Sequence, residues 1–436
     1  MTRRKSGFWF RASGLLLRLA ADRVRTLSLL EQGIISAANF VALLLLARHF
    51  DPRTFGAFSF AWLSLHFVLN LHRSAVVVPF VVHTADPAML AAEAPAWRRL
   101  NALTTILAAA ALGLAAAIVP AVGAPAWMSA ALFTAAMFVP PAFVYEFRRR
   151  WLIQQERFGA AVAAAALYGG GMVGGVGWAV ASGHIGAAMA GMTCANAGAA
   201  LLCVILAPAL PEPARTPAFA PFLRRLAHFI GWSVASNLAY NGYGHLPPLI
   251  LGSLAGPAPV ALFQAMRNFT QPLSTAATAI DNFDKPRAAR ALAAGGPAGL
   301  ARALAHTTAA MAAMTLPYLV VLVAFGDTLV PLVYGARYGD PTPVLLWFAA
   351  VHVAVVFVYP LETAMVLLRR PDLLFFGRVG SAAVGIGLSL ALVPTWGLGG
   401  AMAGITAGIV ASGLGSLCLL LREKPWMPKP PRPGRR

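Results

Sequence analysis

Residues 31–62 read EQGIISAANFVALLLLARHFDPRTFGAFSFAW. A helix needs roughly 20 predominantly apolar residues to cross a bilayer core about 30 Å thick. The run that ends in VALLLLA supplies them, residues 48–53 interrupt it with charge and proline, and apolar sequence resumes at Phe55. Two spans joined by a short polar turn are the simplest reading. The same alternation continues to residue 421. It predicts spans at 28–47, 56–82, 102–121, 126–145, 158–181 and 185–207, then at 228–251, 259–282, 304–325, 342–367, 373–393 and 398–421. The expected fold is therefore all-α and membrane-integral, with about twelve transmembrane helices in two six-helix lobes, 27–207 and 228–421. A basic N-terminal segment (1–26), a proline-rich linker (208–227) and a basic tail (422–436) complete the expected organisation.

Composition agrees. The 436 residues are 59% hydrophobic and 11% charged, with mean hydropathy +0.70, more apolar surface than a water-soluble core can bury. The net charge of +19 would suit a nucleic-acid binder only if it formed a patch; the basic residues lie between the spans instead, so no nucleic-acid partner is expected. Cys194, Cys203 and Cys418 sit inside apolar runs without metal-ligand spacing, which argues for packing and against disulfides, a metal site or any cofactor. The apolar stretch after the basic N-terminus runs into the first span with no small-residue cleavage site, unlike a signal peptide. Arg11, Arg18 and Arg25 recur every seven residues, as in an amphipathic helix on an anionic leaflet or, equally, a disordered basic arm.

The placement of charge tests the span count, because Lys and Arg collect in cytoplasmic loops. Of 34 basic residues, all but five fall in alternate segments; the exceptions are Arg48, Arg53 and Arg337 in the opposite loops and Arg73 and Arg267 inside spans. One span more or fewer would invert the alternation downstream. Both termini are thus expected in the cytoplasm, with the chain in a bacterial inner membrane. The halves also resemble each other: residues 185–193 read IGAAMAGMT and residues 398–406 read LGGAMAGIT, in the sixth and twelfth spans. A weaker echo pairs FGAFSFA (55–61) with VALFQAM (260–266) at the start of the second and eighth. Repeats of six spans share orientation, an arrangement typical of transporters.

Polar residues concentrate on the first two helices of each half. Ser59, Trp62, His66, Asn70 and Arg73 fall on one face of the second span; Arg267, Gln271, Ser274, Thr278 and Asp281 do so on the eighth, with Gln264 and Asn268 beside them. Gln32, Ser36 and Asn39 mark the first span, and Ser233, Asn237, Tyr240, Asn241 and His245 the seventh. Amides and hydroxyls can serve as interhelical glue. A mid-span guanidinium costs roughly 2.5–3.5 kcal/mol to insert and so calls for a partner, and a phosphate suits its fork. The expected substrate-binding set is Arg73, Arg267, His66, Asn70, Gln264, Gln271, Asn237 and Asn241, lining a hydrated cleft at the junction of the halves. Glu31, Asp281 and Glu362 lie towards predicted cytoplasmic ends, where pairing with arginine outweighs an ion-coupling role. No catalytic residue is assigned, since HExxH, GxSxG and GxxxxGK[ST] motifs are all absent.

Two segments carry a family resemblance. Residues 31–62 are similar to the polar first helix and the R-x-h-x-P-x-x-F-G turn of polysaccharide flippases in the multidrug/oligosaccharidyl-lipid/polysaccharide exporter superfamily. Residues 261–290, ALFQAMRNFTQPLSTAATAIDNFDKPRAAR, resemble their eighth helix. The resemblance implies a V-shaped, two-lobe flippase that moves undecaprenyl-diphosphate-linked oligosaccharide across the inner membrane by alternating access, for exopolysaccharide, capsule or O-antigen synthesis. It also implies that Arg267 meets the diphosphate or an acidic sugar. Partners would be the lipid-linked oligosaccharide, membrane lipids and, in the same pathway, a polysaccharide polymerase and glycosyltransferases. A drug/cation antiporter of the same superfamily and a polytopic enzyme of polysaccharide assembly are the alternatives. An acidic cavity would favour the first and catalytic residues at a membrane face the second.

Overall fold

The structure, a computed structural model, describes residues 23–84, 86–208, 218–368 and 370–423. Residues 1–22, where an amphipathic helix and a disordered basic arm are equally expected, lie outside them, as do residues 209–217 of the linker, the tail from residue 424 and the side chains of Thr278 and Asp281. The described residues are almost wholly helical. In chain order the helices are α1 (Arg23–His49), α2 (Pro52–His72), a π-helical turn (Arg73–Val77), α3 (Val78–His83), α4 (Pro87–Ala121), α5 (Ala126–Gln154), α6 (Phe158–Ser182) and α7 (Ile185–Leu206). There follow α8 (Phe219–Gly244), α9 (Leu246–Ala255), α10 (Pro257–Ala324), α11 (Gly326–Tyr334), a 3-10 turn (Ala336–Tyr338), α12 (Thr342–Leu367), α13 (Pro371–Trp396) and α14 (Leu398–Glu423).

Among the described residues ten helices are long and apolar enough to cross a membrane, and they match ten of the twelve predicted spans. The other two predicted spans correspond to α8–α9 and the first part of α10, the helices richest in mid-span polar residues. The protein is a multi-pass membrane protein of about twelve spans. Helices overrun the predicted boundaries on the basic side, because a hydropathy reading stops at the first charges whereas Ala, Leu, Glu and Arg continue a helix without strain. Thus α4 starts 15 residues before position 102, and α5 runs on to Gln154. The loop expected between the eighth and ninth spans reduces to Gly295 and Gly296; Gly296 takes φ +57°, open to glycine, and Pro297 opens the next helix.

Local signals explain the turn at residues 48–53. Asp51 caps α2: its Oδ1 accepts the backbone N–H of Arg53 at 2.9 Å and of Thr54 at 3.1 Å, and Pro52 takes the first helical position, where no N–H is needed. The Thr54 hydroxyl, helped by these amides, holds the Asp51 carboxyl below its ordinary range. Arg48 donates to the carbonyls of Leu332 and Val333, Arg337 returns a bond to the His49 carbonyl at 2.9 Å, and Tyr338 donates to Ala47 O at 3.0 Å. Two of the three basic residues that break the charge rule therefore hold helix-end carbonyls.

The chain forms two compact units. Of the described residues, one takes those up to Leu46 with Val68–Ala115 and Phe133–Gly231; the other takes Ala47–Phe67, Ala116–Leu132 and those from Trp232 onward. In the first, Phe80 is fully buried among Trp97, Phe147 and Trp151. There α6 and α7 pack so closely that a Cβ at Gly175 would sit 2.8 Å from the Gly191 Cα. In the second, α13 and α14 pack the same way: a Cβ at Gly404 would meet Gly385 O at 2.6 Å. Gly191 and Gly404 are equivalent positions in the two repeated motifs, so the internal repeat extends from sequence to packing. Gly191→Ala is expected to lose about 1–3 kcal/mol by overpacking. Gly186→Ala, in open space one turn earlier, should stay within about 0.5 kcal/mol of wild type. Thermal denaturation in detergent compares them, and equal midpoints would contradict the close approach.

Candidate functional site: an arginine-bearing cavity

A cavity of about 540 Å³ lies within the second unit, enclosed by α8, α10, α12, α13 and α14. Arg267, Gln271 and Ser274 line it at helical offsets of four and three, so the predicted polar face of the eighth span does bound an open space. Thr270 and Thr315 add hydroxyls, and His245, at the α8–α9 break, and His352 on α12 add imidazoles. His352 Nδ1–H donates to Phe348 O at 2.8 Å, which leaves Nε2 as the acceptor of the neutral ring; Nδ1 of His245 is buried without a hydrogen-bond partner. Phe263, Phe348 and Met402 supply apolar wall.

The charges in this cavity are not equivalent. Among the described residues the Arg267 guanidinium has no hydrogen bond and no carboxylate partner. Arg378 donates from Nη2 to Glu362 Oε2 at 2.7 Å and lies over the Tyr240 ring, 4.9 Å from its centroid. Ser412 donates to the other Glu362 oxygen at 3.1 Å. With two guanidiniums and one carboxylate, the lining is cationic when the histidines are neutral. Such a lining attracts an anion, and the free fork of Arg267 fits the paired oxygens of a phosphate.

Arg73 presents the contrary case. It belongs to the first unit, where its Nε and Nη2 each lie 3.2 Å from an oxygen of Glu146. Glu146 also takes Arg149 at 3.1 Å and lies 3.7 Å from Arg150, while Arg149 reaches Glu31 at 2.5 Å. Asn70 accepts from Arg73 at 3.5 Å, the long limit of a hydrogen bond. Arg73, expected in the substrate-binding set, thus has a counter-ion built in. The π-helical turn starts at Arg73, with Val78 N–H bonded to Arg73 O five residues back. Its cause is local: Pro79 has no N–H, and its ring excludes a carbonyl four residues behind it, so the turn widens.

The remaining predicted residues do not line the cavity. Asn241 donates to the carbonyl and side chain of Asn237, one turn back on the same helix. The His66 ring lies tilted against Trp62, with centroids 4.4 Å apart, and its Nδ1 bonds the Trp62 carbonyl at 2.8 Å. Gln264 is buried, with Oε1 unpartnered. Arg378, Tyr243 and His352 line the cavity without having been singled out, and Glu146 was missed because the predicted fourth span ended at Tyr145. No group of three or more His, Cys, Asp or Glu side chains suited to a metal ion gathers among the described residues.

The fold is that of MOP-superfamily transporters. An inward-facing multidrug resistance MATE family transporter of that superfamily superposes with TM-score 0.68 at 12% identity, over 91% of this chain and 98% of that one. The lipid II flippase MurJ in an inward closed conformation gives 0.66 at 14% identity, over 92% and 87%. A MOP superfamily transporter from Pyrococcus furiosus gives 0.57 at 14%, over 92% and 96%. No curated protein sequence matches the chain. The family described as "Polysaccharide biosynthesis protein" matches residues 45–343, well over half of the chain, and the protein belongs to that family.

Proposed function

We propose that the protein is a flippase that carries an undecaprenyl-diphosphate-linked oligosaccharide across the bacterial inner membrane by alternating access, feeding exopolysaccharide, capsule or O-antigen assembly. The observation that carries this reading is Arg267, a guanidinium with no internal partner among the described residues, on the polar wall of a membrane-embedded cavity. A charge so placed is expensive unless a ligand or water meets it. A diphosphate crossing hydrocarbon unaided would be costlier still. The cavity gives the headgroup a cationic, hydrogen-bonding route while a polyprenyl tail stays in lipid. Membership of a polysaccharide biosynthesis family supports glycan cargo, and the distribution of basic residues supports cytoplasmic termini. A cation antiporter is disfavoured because the lining carries more guanidinium than carboxylate. Of the substrate set expected from sequence, Arg267 and Gln271 form the core; Arg73 and Asn70 act with Glu146.

Deletion of the gene tests the assignment. Lipid-linked glycan should accumulate facing the cytoplasm while surface polysaccharide disappears, and a plasmid copy should reverse both. Unchanged surface polysaccharide with increased sensitivity to cationic drugs would point to the antiporter.

A further inference from the structure

The cavity holds its own anion. Glu362 occupies one donor of Arg378, but Arg378 Nε is buried with no acceptor. Arg378 and Arg267 both line this one cavity, with Tyr240 beside the first of them. A diphosphate diester keeps two negative charges throughout the neutral range. Among the described lining residues, Arg267, Arg378 and Glu362 give an excess of one positive charge when Glu362 is ionised and of two when it is protonated, with the histidines neutral. Charge is matched only in the second state.

We propose that Glu362 is a resident competitor for the substrate anion. On loading, Arg378 exchanges its Glu362 oxygen for a phosphate oxygen, and the released carboxylate takes one proton from water; no covalent bond to substrate forms or breaks. On release the proton leaves and Arg378 returns to Glu362. Ser412 holds the second carboxylate oxygen in both states, so the side chain need not leave its place. This inference rests on the reading of the cavity as the diphosphate site.

Among the described residues, the charged and titratable groups that line the cavity with Glu362 are Arg378 from α13, Tyr240 and Tyr243 from α8, His245 at the α8–α9 break, Arg267 from α10, and Tyr359 and His352 on its own helix, while Ser412 from α14 holds its second oxygen. Lys285 lies 5.9 Å from the Tyr359 ring centroid. Arginine, lysine and tyrosine keep one protonation state near neutrality. The rival proton acceptors are therefore His245 and His352.

The test is titration calorimetry on the full chain in detergent, with diethyl diphosphate as ligand, in buffers of differing ionisation enthalpy. Wild type should take up close to one proton per ligand at neutral pH, and its affinity should fall about tenfold per pH unit over the range in which that proton is taken up. Glu362→Gln should bind more tightly at alkaline pH, with no uptake and a flat profile. Arg378→Gln, which removes the contested cation, should also lose uptake and serves if the first variant fails to fold. A double His245→Gln, His352→Gln variant should retain uptake. Uptake that persists in Glu362→Gln, or that vanishes only in the histidine variant, overturns the proposal and leaves the diphosphate site standing. No binding by wild type overturns that site and the proposal with it, whereas binding lost in Arg267→Gln supports it.

Discussion

Arg267→Gln is expected to abolish surface polysaccharide while the protein remains in the membrane at wild-type abundance. Removal of a cation facing a desolvated anion costs about 2–5 kcal/mol, and each 1.4 kcal/mol is a tenfold loss of affinity, so headgroup capture should fall by more than tenfold. Little stability should change, because among the described residues the guanidinium makes no internal bond for the fold to lose; its removal relieves a desolvated charge. Arg267→Lys keeps the charge and gives up the planar fork, so partial export is expected. The check is complementation of a deletion strain, scored by surface glycan against membrane abundance. Export by Arg267→Gln equal to wild type would return this arginine to a structural role.

Glu146→Gln is expected to do the reverse: to damage the fold first and transport only as a consequence. Glu146 is buried and meets Arg73, Arg149 and Arg150. Its loss leaves Arg149, which is 3% exposed, sharing only Glu31. Breaking a buried ion pair from one side typically costs about 3–5 kcal/mol, so membrane abundance and the detergent denaturation midpoint should both drop. Arg73→Gln should cost below about 1 kcal/mol, since that side chain is 41% exposed and Glu146 keeps its other partners. The two variants separate structure from transport. If Glu146→Gln were as stable as wild type while Arg73→Gln stayed folded and stopped export, the first-unit network would be a substrate site.

The fold was largely legible because the bilayer imposes a length on every span and a sign on every loop. The GxAMAGxT motif even pointed to where helices touch, since Gly191 and Gly404 each lie at a close helix crossing. The site was legible in part. Arg267 stood out as a charge without a nearby opposite, and the described residues supply none. Arg73 looked the same because its partner, Glu146, falls one residue beyond the predicted end of the fourth span. Hydropathy could not show that α5 runs on for two turns. Arg378 was counted with the cytoplasmic charges although it lies five residues inside the predicted eleventh span, since its nearness to that end favoured a loop-side reading. Asn237 and Asn241 mark a limit of another kind: a polar stripe says which face of a helix is polar, but residues four apart can satisfy each other along it.

The central claim is that Arg267 in the second-unit cavity receives the diphosphate of a lipid-linked glycan during its passage across the membrane. Purified protein in liposomes, supplied with a fluorescent polyprenyl-diphosphate oligosaccharide, tests it by the fraction of label that becomes accessible to a membrane-impermeant quencher. The account predicts rapid equilibration across the leaflets with wild type, and a rate with Arg267→Gln reduced more than tenfold at equal protein density. Equal rates for the two proteins, or no translocation by wild type, would contradict it.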